Sequence, residues 1–203
     1  MKLLLILLLP LSCLASDNSI YIDQIGNNNQ ITITQTSSGN TVGGVSQQAA
    51  PLQGDYNQIS ITQESNNTVR INLTGDYNNI TNNQSSNNVA ETNLNGNNNT
   101  INFQQLTFGS KSIIASVSGN NNSLSATQQG TGQHQLNVLL TGNGHNITTN
   151  QKDSGNHSAT LNLTNAGGAA TVNLTQQGPT NQSYSLTQSC AILAGCSTTI
   201  IQQ

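Results

Sequence analysis

The strongest constraint on this chain is a decad that keeps returning. GNNNQITITQ (26–35), GDYNQISITQ (54–63), GDYNNITNNQ (75–84), GNNNTINFQQ (96–105) and GNNNSLSATQ (119–128) align without gaps. GNGHNITTNQ (142–151) and GGAATVNLTQ (167–176) keep the Gly and the Gln but carry His145 and Ala170 where the others have Asn. The shared core is Gly-x-x-Asn, five residues, then Gln. Self-similarity of this kind points to stacked repeats, each unable to bury its apolar face alone, and away from an ordinary single-core globule.

Within the core, side chains alternate strictly. Asn29, Ile31, Ile33 and Gln35 share one face of a strand, and Gln30, Thr32 and Thr34 the other. The linking segments keep the same period, as in Asn67, Val69, Ile71, Leu73, in His134, Leu136, Val138, Leu140, and in Gln182, Tyr184, Leu186, Gln188. Each repeat therefore reads as strand, turn, strand. Gly-x-x-Asn makes one turn, and TSSGN, ESNN, SSNN or KDSGN the other, from residues that tolerate positive φ. Stacking equivalent strands in parallel and in register pairs the backbone and closes a thin apolar core. The expected fold is all-β, a two-sheet parallel β-solenoid of about eight rungs, amyloid-like in its stacking. The rungs fall at 18–35, 40–63, 67–84, 88–105, 110–128, 133–151, 156–176 and 181–203. Inward Asn and Gln lie over their equivalents and form amide ladders that set register. The second rung carries an insertion around Ala49–Leu52, and Pro51, which has no N–H to donate, is expected in a loop.

Lys2, the apolar run Leu3–Leu9, Pro10 and the small residues before Asp17 have the layout of a secretory signal peptide, expected to span 1–16. The run is too short to cross a bilayer, so the mature chain, 17–203, is expected to be exported without inserting into a membrane. A lipoprotein modified at Cys13 is the alternative; Pro10 fits its processing site poorly. Charged residues make up only 5% of the chain, which separates it from charge-expanded disordered sequences and favours cross-β stacking of amide-rich strands. Four Lys and Arg with a net charge of −3 leave no electrostatic footprint for nucleic acid or anionic lipid. Beyond the leader, Cys190 and Cys196 remain; in an oxidising compartment they are expected to pair and close SCAILAGC, two free thiols being the alternative.

At these positions the chain resembles the curlin family, whose repeat is written Ser-x5-Gln-x4-Asn-x5-Gln. Gln24, Asn29 and Gln35 reproduce its Gln-x4-Asn-x5-Gln part, with Asn18 in place of the Ser. The Asn-x5-Gln half recurs at Asn57/Gln63, Asn78/Gln84, Asn99/Gln105 and Asn122/Gln128, and its Gln returns at Gln151 and Gln176. Gln188 takes the place of the first Gln in the last rung, whereas Leu52, Leu73, Leu94, Val117 and Leu140 replace it in the middle rungs. The resemblance implies a secreted subunit of extracellular fibres in a biofilm matrix, exported unfolded through a dedicated outer-membrane pore and seeded by a nucleator subunit. The targeting segment that follows the leader in that family is nearly absent, since the first rung starts at about Asn18.

Catalysis is not expected. The histidines, His134, His145 and His157, lack carboxylate or thiol partners at useful spacing; His145 sits in the inward Asn column and reads as a ladder variant. No cofactor is implied, and the histidine spacing suits no metal site. Asp55, Asp76, Arg70, Lys111 and Lys152 read as solvated charges that discourage premature association. A monomeric adhesive or ice-binding solenoid is the competing function, although outward pairs such as Thr32/Thr34, Thr81/Asn83 and Asn102/Gln104 are too mixed for an ice-matching face.

Overall fold

The computed structural model describes residues 17–44, 50–165, 168–191 and 194–203. The expected leader, Cys13 included, lies outside the described residues. From Asn18 upward the chain climbs rung by rung, placing one arm in each of two sheets. β1 (Ser19–Ile20) and β2 (Ile22–Ile25) lead to β3 (Gln30–Gln35), and β4 (Thr41–Gly43) and β5 (Ala50–Gln53) to β6 (Gln58–Ser65). β7 (Thr68–Thr74) leads to β8 (Asn79–Ser86) and β9 (Val89–Asn95) to β10 (Thr100–Gln105). β11 (Ser112–Ser118) and β12 (Ser123–Gln128) follow, then β13 (Gln135–Thr141) and β14 (Asn146–Gln151). β15 (Ser158–Asn165), β16 (Ala170–Gln176), β17 (Ser183–Cys190) and β18 (Cys196–Gln202) complete the stack.

First arms stack into a ten-stranded sheet and second arms into an eight-stranded one, giving the parallel two-sheet β-solenoid that the repeat predicts. Register is strict: Gln84 lies over Gln63, Gln105 over Gln84 and Gln128 over Gln105. The alternation decides what is buried. Ile59, Ile61, Ile80, Ile101 and Phe103 face Ile71, Leu73, Leu94, Val117 and Leu140 across the interior, all essentially solvent-free. Each such side chain contributes about 1.5–3 kcal/mol on burial. Hence the stack, and not any single rung, is the unit of stability.

The Gly-x-x-Asn corner can be built only with glycine. Gly75 has a φ of +129°, and a Cβ placed there would lie 2.0 Å from the carbonyl oxygen of Gly96 in the next rung. Successive corners approach backbone to backbone, so the repeat keeps its Gly even where the Asn is lost.

Pro51 departs from expectation: it lies inside β5, not in a loop. Ala50 N–H donates to Tyr21 O at 2.8 Å, so alternation turns the Pro51 nitrogen toward the third rung. Pairing of β5 with β7 starts only at Leu52, one residue later. The missing donor thus falls where the ladder has not yet begun.

A second exception is Asn82, which takes an apolar place between Ile61 and Phe103. It is buried, and its Oδ1 accepts no hydrogen bond. A buried acceptor without a donor costs about 1–3 kcal/mol. Asn82→Val, which also suits a strand better, should therefore raise the denaturant midpoint by the equivalent of about 1–3 kcal/mol. A lower midpoint would show that the amide contributes to the fold.

Candidate functional site: amide columns and open ends

Three inward polar columns run the length of the stack, and they bond in different ways. In the Gln column each Nε2 donates to the Oε1 of the next rung: Gln35 to Gln63 at 3.0 Å, Gln84 to Gln105 at 2.7 Å, Gln128 to Gln151 at 2.8 Å, and Gln151 to Gln176 at 2.8 Å. The second Nε2 hydrogen reaches across the turn to the opposite arm, as from Gln105 to Val89 O at 3.0 Å. The chain of amides continues to Gln202, which accepts from Gln176 at 2.8 Å. All donors point toward the C-terminal rung, so the column has a polarity.

The Asn column ties side chain to backbone. Asn57 Oδ1 accepts from Asn78 N–H at 2.9 Å, and Asn57 Nδ2 donates to Gly75 O at 2.8 Å. Asn29, Asn99 and Asn122 repeat the second bond with Gly54, Gly119 and Gly142. The Asn side chain therefore satisfies the carbonyl of the glycine that turns the next corner. His145 enters this column as a substitute. Its N–H donates to Asn122 Oδ1 at 2.9 Å, its Nδ1 accepts from Ala170 N–H at 2.9 Å, and its Nε2 lies 3.3 Å from Thr141 O. The imidazole does with two nitrogens what the amide does with oxygen and nitrogen.

The third column lines the other turn: Asn40, Asn67, Asn88, Lys111, His134, His157 and Gln182. Sequence reasoning placed some of these inward without recognising the set. The missed signal is turn length. Three or four residues separate the preceding Gln from Asn40, Asn67 and Asn88, whereas five precede Lys111, His134, His157 and Gln182. A wider turn takes a longer side chain to fill it. Asn67 Nδ2 reaches Ser85 O at 2.6 Å; His134 Nε2 meets Gln129 O at 2.8 Å, His157 Nε2 meets Lys152 O at 2.8 Å, and Gln182 Nε2 meets Gln177 O at 2.9 Å.

Lys111 contradicts its expected role as a solvated charge. It is 1% exposed, and its Nζ donates to the carbonyls of Phe108 at 3.0 Å and Thr107 at 3.3 Å. The turn lengthens at this rung, and its carbonyls close over the ammonium. Nor are Asp55 and Asp76 simply solvated: each accepts a backbone N–H from the rung below, Asn27 at 2.6 Å and Asp55 at 2.7 Å. Arg70 pairs with Glu91 at 3.8 Å on the outer face. Lys152 is half-buried at its turn.

Burial also sets the proton chemistry. It pushes the His134 imidazole down to about 4; the neighbouring His157 and Lys111 push the same way, and the Gln129 carbonyl and Asp153 oppose. Burial lowers His145 as well, and brings Lys111 down to about 8. The rings of His134 and His157 stack at 5.0 Å, 5° from parallel.

Gln24 and Gln188 do not form a ladder within the chain. Both belong to the column of Leu52, Leu73 and Leu94, one at each extremity. The whole stack separates them, so pairing within one chain is impossible. Gln188 Nε2 instead approaches Cys196 Sγ at 2.8 Å. Gln202, absent from the expected ladder, completes the Gln column because β18 pairs with β16 in register. Cys190 and Cys196 are disulfide-bonded, with Cα atoms 5.8 Å apart, and close the turn between β17 and β18.

Among the described residues both ends of the solenoid are open: β1, β2 and β3 have neighbours on one side only, as do β17 and β18. Ile22, Ile31 and Ile33 at one end, and Tyr184, Leu186 and Ile200 at the other, are only partly buried, unlike their equivalents between them. Comparison with protein-family models, with curated proteins and with solved structures finds no match.

The histidine geometry yields a pH dependence of defined sign. An imidazole kept neutral in the fold contributes fully above its unfolded value of about 6.5 and less as pH falls from there toward 4. For His134 the loss is roughly 3 kcal/mol at most. Between about 8 and 10.5 Lys111 acts in the same direction, stability rising with pH. His134→Gln with His157→Gln keeps the bond to the turn, as Gln182 shows, and removes the lowered His134 imidazole. Denaturation midpoints measured from pH 7 to pH 4 should therefore fall for the parent chain and stay flatter for the double variant. Parallel curves would mean that the acid sensitivity lies elsewhere.

Proposed function

We propose that this protein is a secreted structural subunit that polymerises end to end into extracellular amyloid-type fibres, of the kind the curlin resemblance implies, serving a biofilm matrix, adhesion and cell aggregation. The observation that carries the reading is the matching of the two open ends. Continuing the register by one rung sets Gln202 against Gln35, Gln188 against Gln24, Tyr184 against Ile20, Leu186 against Ile22 and Ile200 against Ile33 of a second copy. The parallel ladders continue, apolar meets apolar and amide meets amide. An uncapped strand edge is a template for another strand. The Cys190–Cys196 turn joins the last two arms and leaves both paired on one side.

In this reading the cell exports the chain through an outer-membrane pore, and a nucleator starts the stack. The Gln24 and Gln188 pair then finds its place: two amides separated within one chain become neighbours across a junction. The reading uses neither a cofactor nor catalysis.

The test begins with residues 17–203 diluted from denaturant. Dye binding after a lag and fibre reflections near 4.7 and 10 Å are expected, whereas a β-rich monomer stable at all concentrations would favour the adhesive solenoid. The junction is probed with Gln24→Glu and Gln188→Glu together, which oppose two carboxylates only between copies. The concentration needed for assembly should rise about tenfold or more, the equivalent of ~1.4 kcal/mol. Gln24→Lys with Gln188→Glu should restore it. Equal thresholds for both pairs would count against this register. Asn29→Ala with Gln35→Ala should likewise slow seeded growth more than Thr32→Ala with Thr34→Ala.

A further inference from the structure

A cavity of about 350 Å³ opens on the outer face of the ten-stranded sheet, lined by Ser19, Tyr21, Thr41, Gly43, Thr68 and Arg70, with Gly44 beside them. Its size lies in the range of small-molecule sites. Two outward columns build it. Ser19, Thr41 and Thr68 follow one another through the first three rungs in register and supply a row of hydroxyls. Two residues further along, Tyr21, Gly43 and Arg70 occupy the same three rungs, with Gly43 paired to Arg70 and Tyr21 N–H bonded to Val42 O at 2.8 Å.

The middle member of this second column has no side chain, so among the described residues a gap one rung wide is left between an aromatic ring and a guanidinium. With strands about 4.8 Å apart, the residues that carry these two groups lie about 9.6 Å apart along the stack. A ring held above Gly43 would sit one rung from each. Rings do stack at that interval on this chain: Tyr56 and Tyr77, on successive rungs, have centroids 5.0 Å apart and parallel planes. Tyr21 has no such aromatic above it and is 54% exposed.

We propose that this slot binds one gluco-configured pyranose unit of a polysaccharide, with Tyr21 against one face and Arg70 against the other. A flat aromatic guest makes its best contacts at about 3.5–4.0 Å and would leave space on one side. A chair-form pyranose is thicker by its axial C–H bonds and fills the interval. Planar groups on both sides disfavour sugars with an axial hydroxyl, which keeps one face of the ring from lying flat against its planar neighbour. The β-gluco ring, all of whose hydroxyls are equatorial, presents C–H to both faces. Its hydroxyls then point to the rim, where Ser19, Thr41 and Thr68 both donate and accept and Arg70 donates. The pairing of Arg70 with Glu91 at 3.8 Å fixes the guanidinium and puts a carboxylate acceptor nearby. The slot lies on the outer face and includes Ser19 and Tyr21 of the terminal rung, so in a fibre Ser183 and Ser185 of the next copy would border it without filling the gap above Gly43. If fibres form, each subunit repeats it, and a long glucan is held at many points.

Saturation-transfer NMR on the full mature chain, with cellotetraose as probe, tests this directly. Ring protons of cellotetraose should receive saturation at about millimolar affinity. Mannotetraose, with an axial 2-hydroxyl on each ring, and β-1,4-galactotetraose, with an axial oxygen at C4 of each ring, should receive at least several-fold less. Tyr21→Ala and Arg70→Ala should abolish the transfer and Tyr21→Phe should keep it. Gly43→Val should fill the slot, and Thr175→Ala, on the opposite sheet, should change nothing. Cellotetraose binding that survives Tyr21→Ala, equal binding of the three sugars, or no transfer at about 10 mM would overturn the proposal.

Discussion

Like stacked on like is the constraint from which the rest of this structure follows. In a parallel, in-register stack every inward side chain lies over its counterpart one rung away, so a residue must tolerate a near copy of itself at about 4.8 Å. An apolar side chain does so by packing. Among polar side chains, a primary amide does so best, since it carries both an acceptor and donors and bonds its own kind indefinitely. A carboxylate or an ammonium repeated in such a column would repel its neighbours in a poorly solvated interior. The charge-poor, amide-rich composition is thus a consequence of the geometry, and the Gln column from Gln35 to Gln202 is its plainest expression. Asn uses the same freedom differently, because its shorter side chain bonds the corner glycine of the next rung as well as the amide of the rung before.

Where a chargeable side chain does enter a column, it is accommodated by its surroundings and not by repetition. Lys111 occurs between Asn88 and His134, and its ammonium is held by turn carbonyls. His134 and His157 stack on one another, and burial holds His134 neutral at ordinary pH, so that its imidazole behaves as an aromatic amide analogue. Turn length, side-chain length and protonation are therefore one coupled choice. A longer turn needs a longer filler, the fillers available at that length are titratable or Gln, and the titratable ones must give up charge or surround it with carbonyls. The acid sensitivity at His134 is a by-product of widening its turn.

The fold was legible because its two signals are local. Alternation decides which residues face inward, and Gly-x-x-Asn decides where the corner falls; both are read from a few neighbouring residues. Errors arose where a residue's environment depends on the next rung. Pro51 in isolation excludes itself from a ladder, yet β5 tolerates it because one neighbouring strand has not begun to pair there. Lys111 looks solvated until the five-residue turn before it, one or two residues longer than those before the Asn members, is seen to fold its carbonyls over the ammonium, a closure that sequence alternation does not register. Gln24 and Gln188 share a motif position with ladder residues, but a ladder needs consecutive rungs and theirs are the first and last. Gln202 carried no motif of its own and joined the column through pairing alone. The Tyr21–Gly43–Arg70 slot was illegible for the same reason, since its members are separated by an insertion and a turn.

The three polar columns do not reach the two ends equally, and this bears on how copies would meet. The Gln column arrives intact at both ends. The Asn column stops short, for Ala170 and Cys196 follow His145 and neither side chain can cap a corner glycine. The apolar columns arrive with partners of uneven size, Tyr184 toward Ile20 and Leu186 toward Ile22. In the proposed fibre a junction would consequently keep its backbone ladders and one amide column but lose the corner bonds that fasten interior rungs. Such a junction is weaker than the steps within a subunit that keep those bonds. Free energy concentrated inside subunits and thinned between them lets each chain fold as a stack of its own and still extend its neighbour, and it makes the junction the place where a fibre breaks and exposes fresh ends for growth.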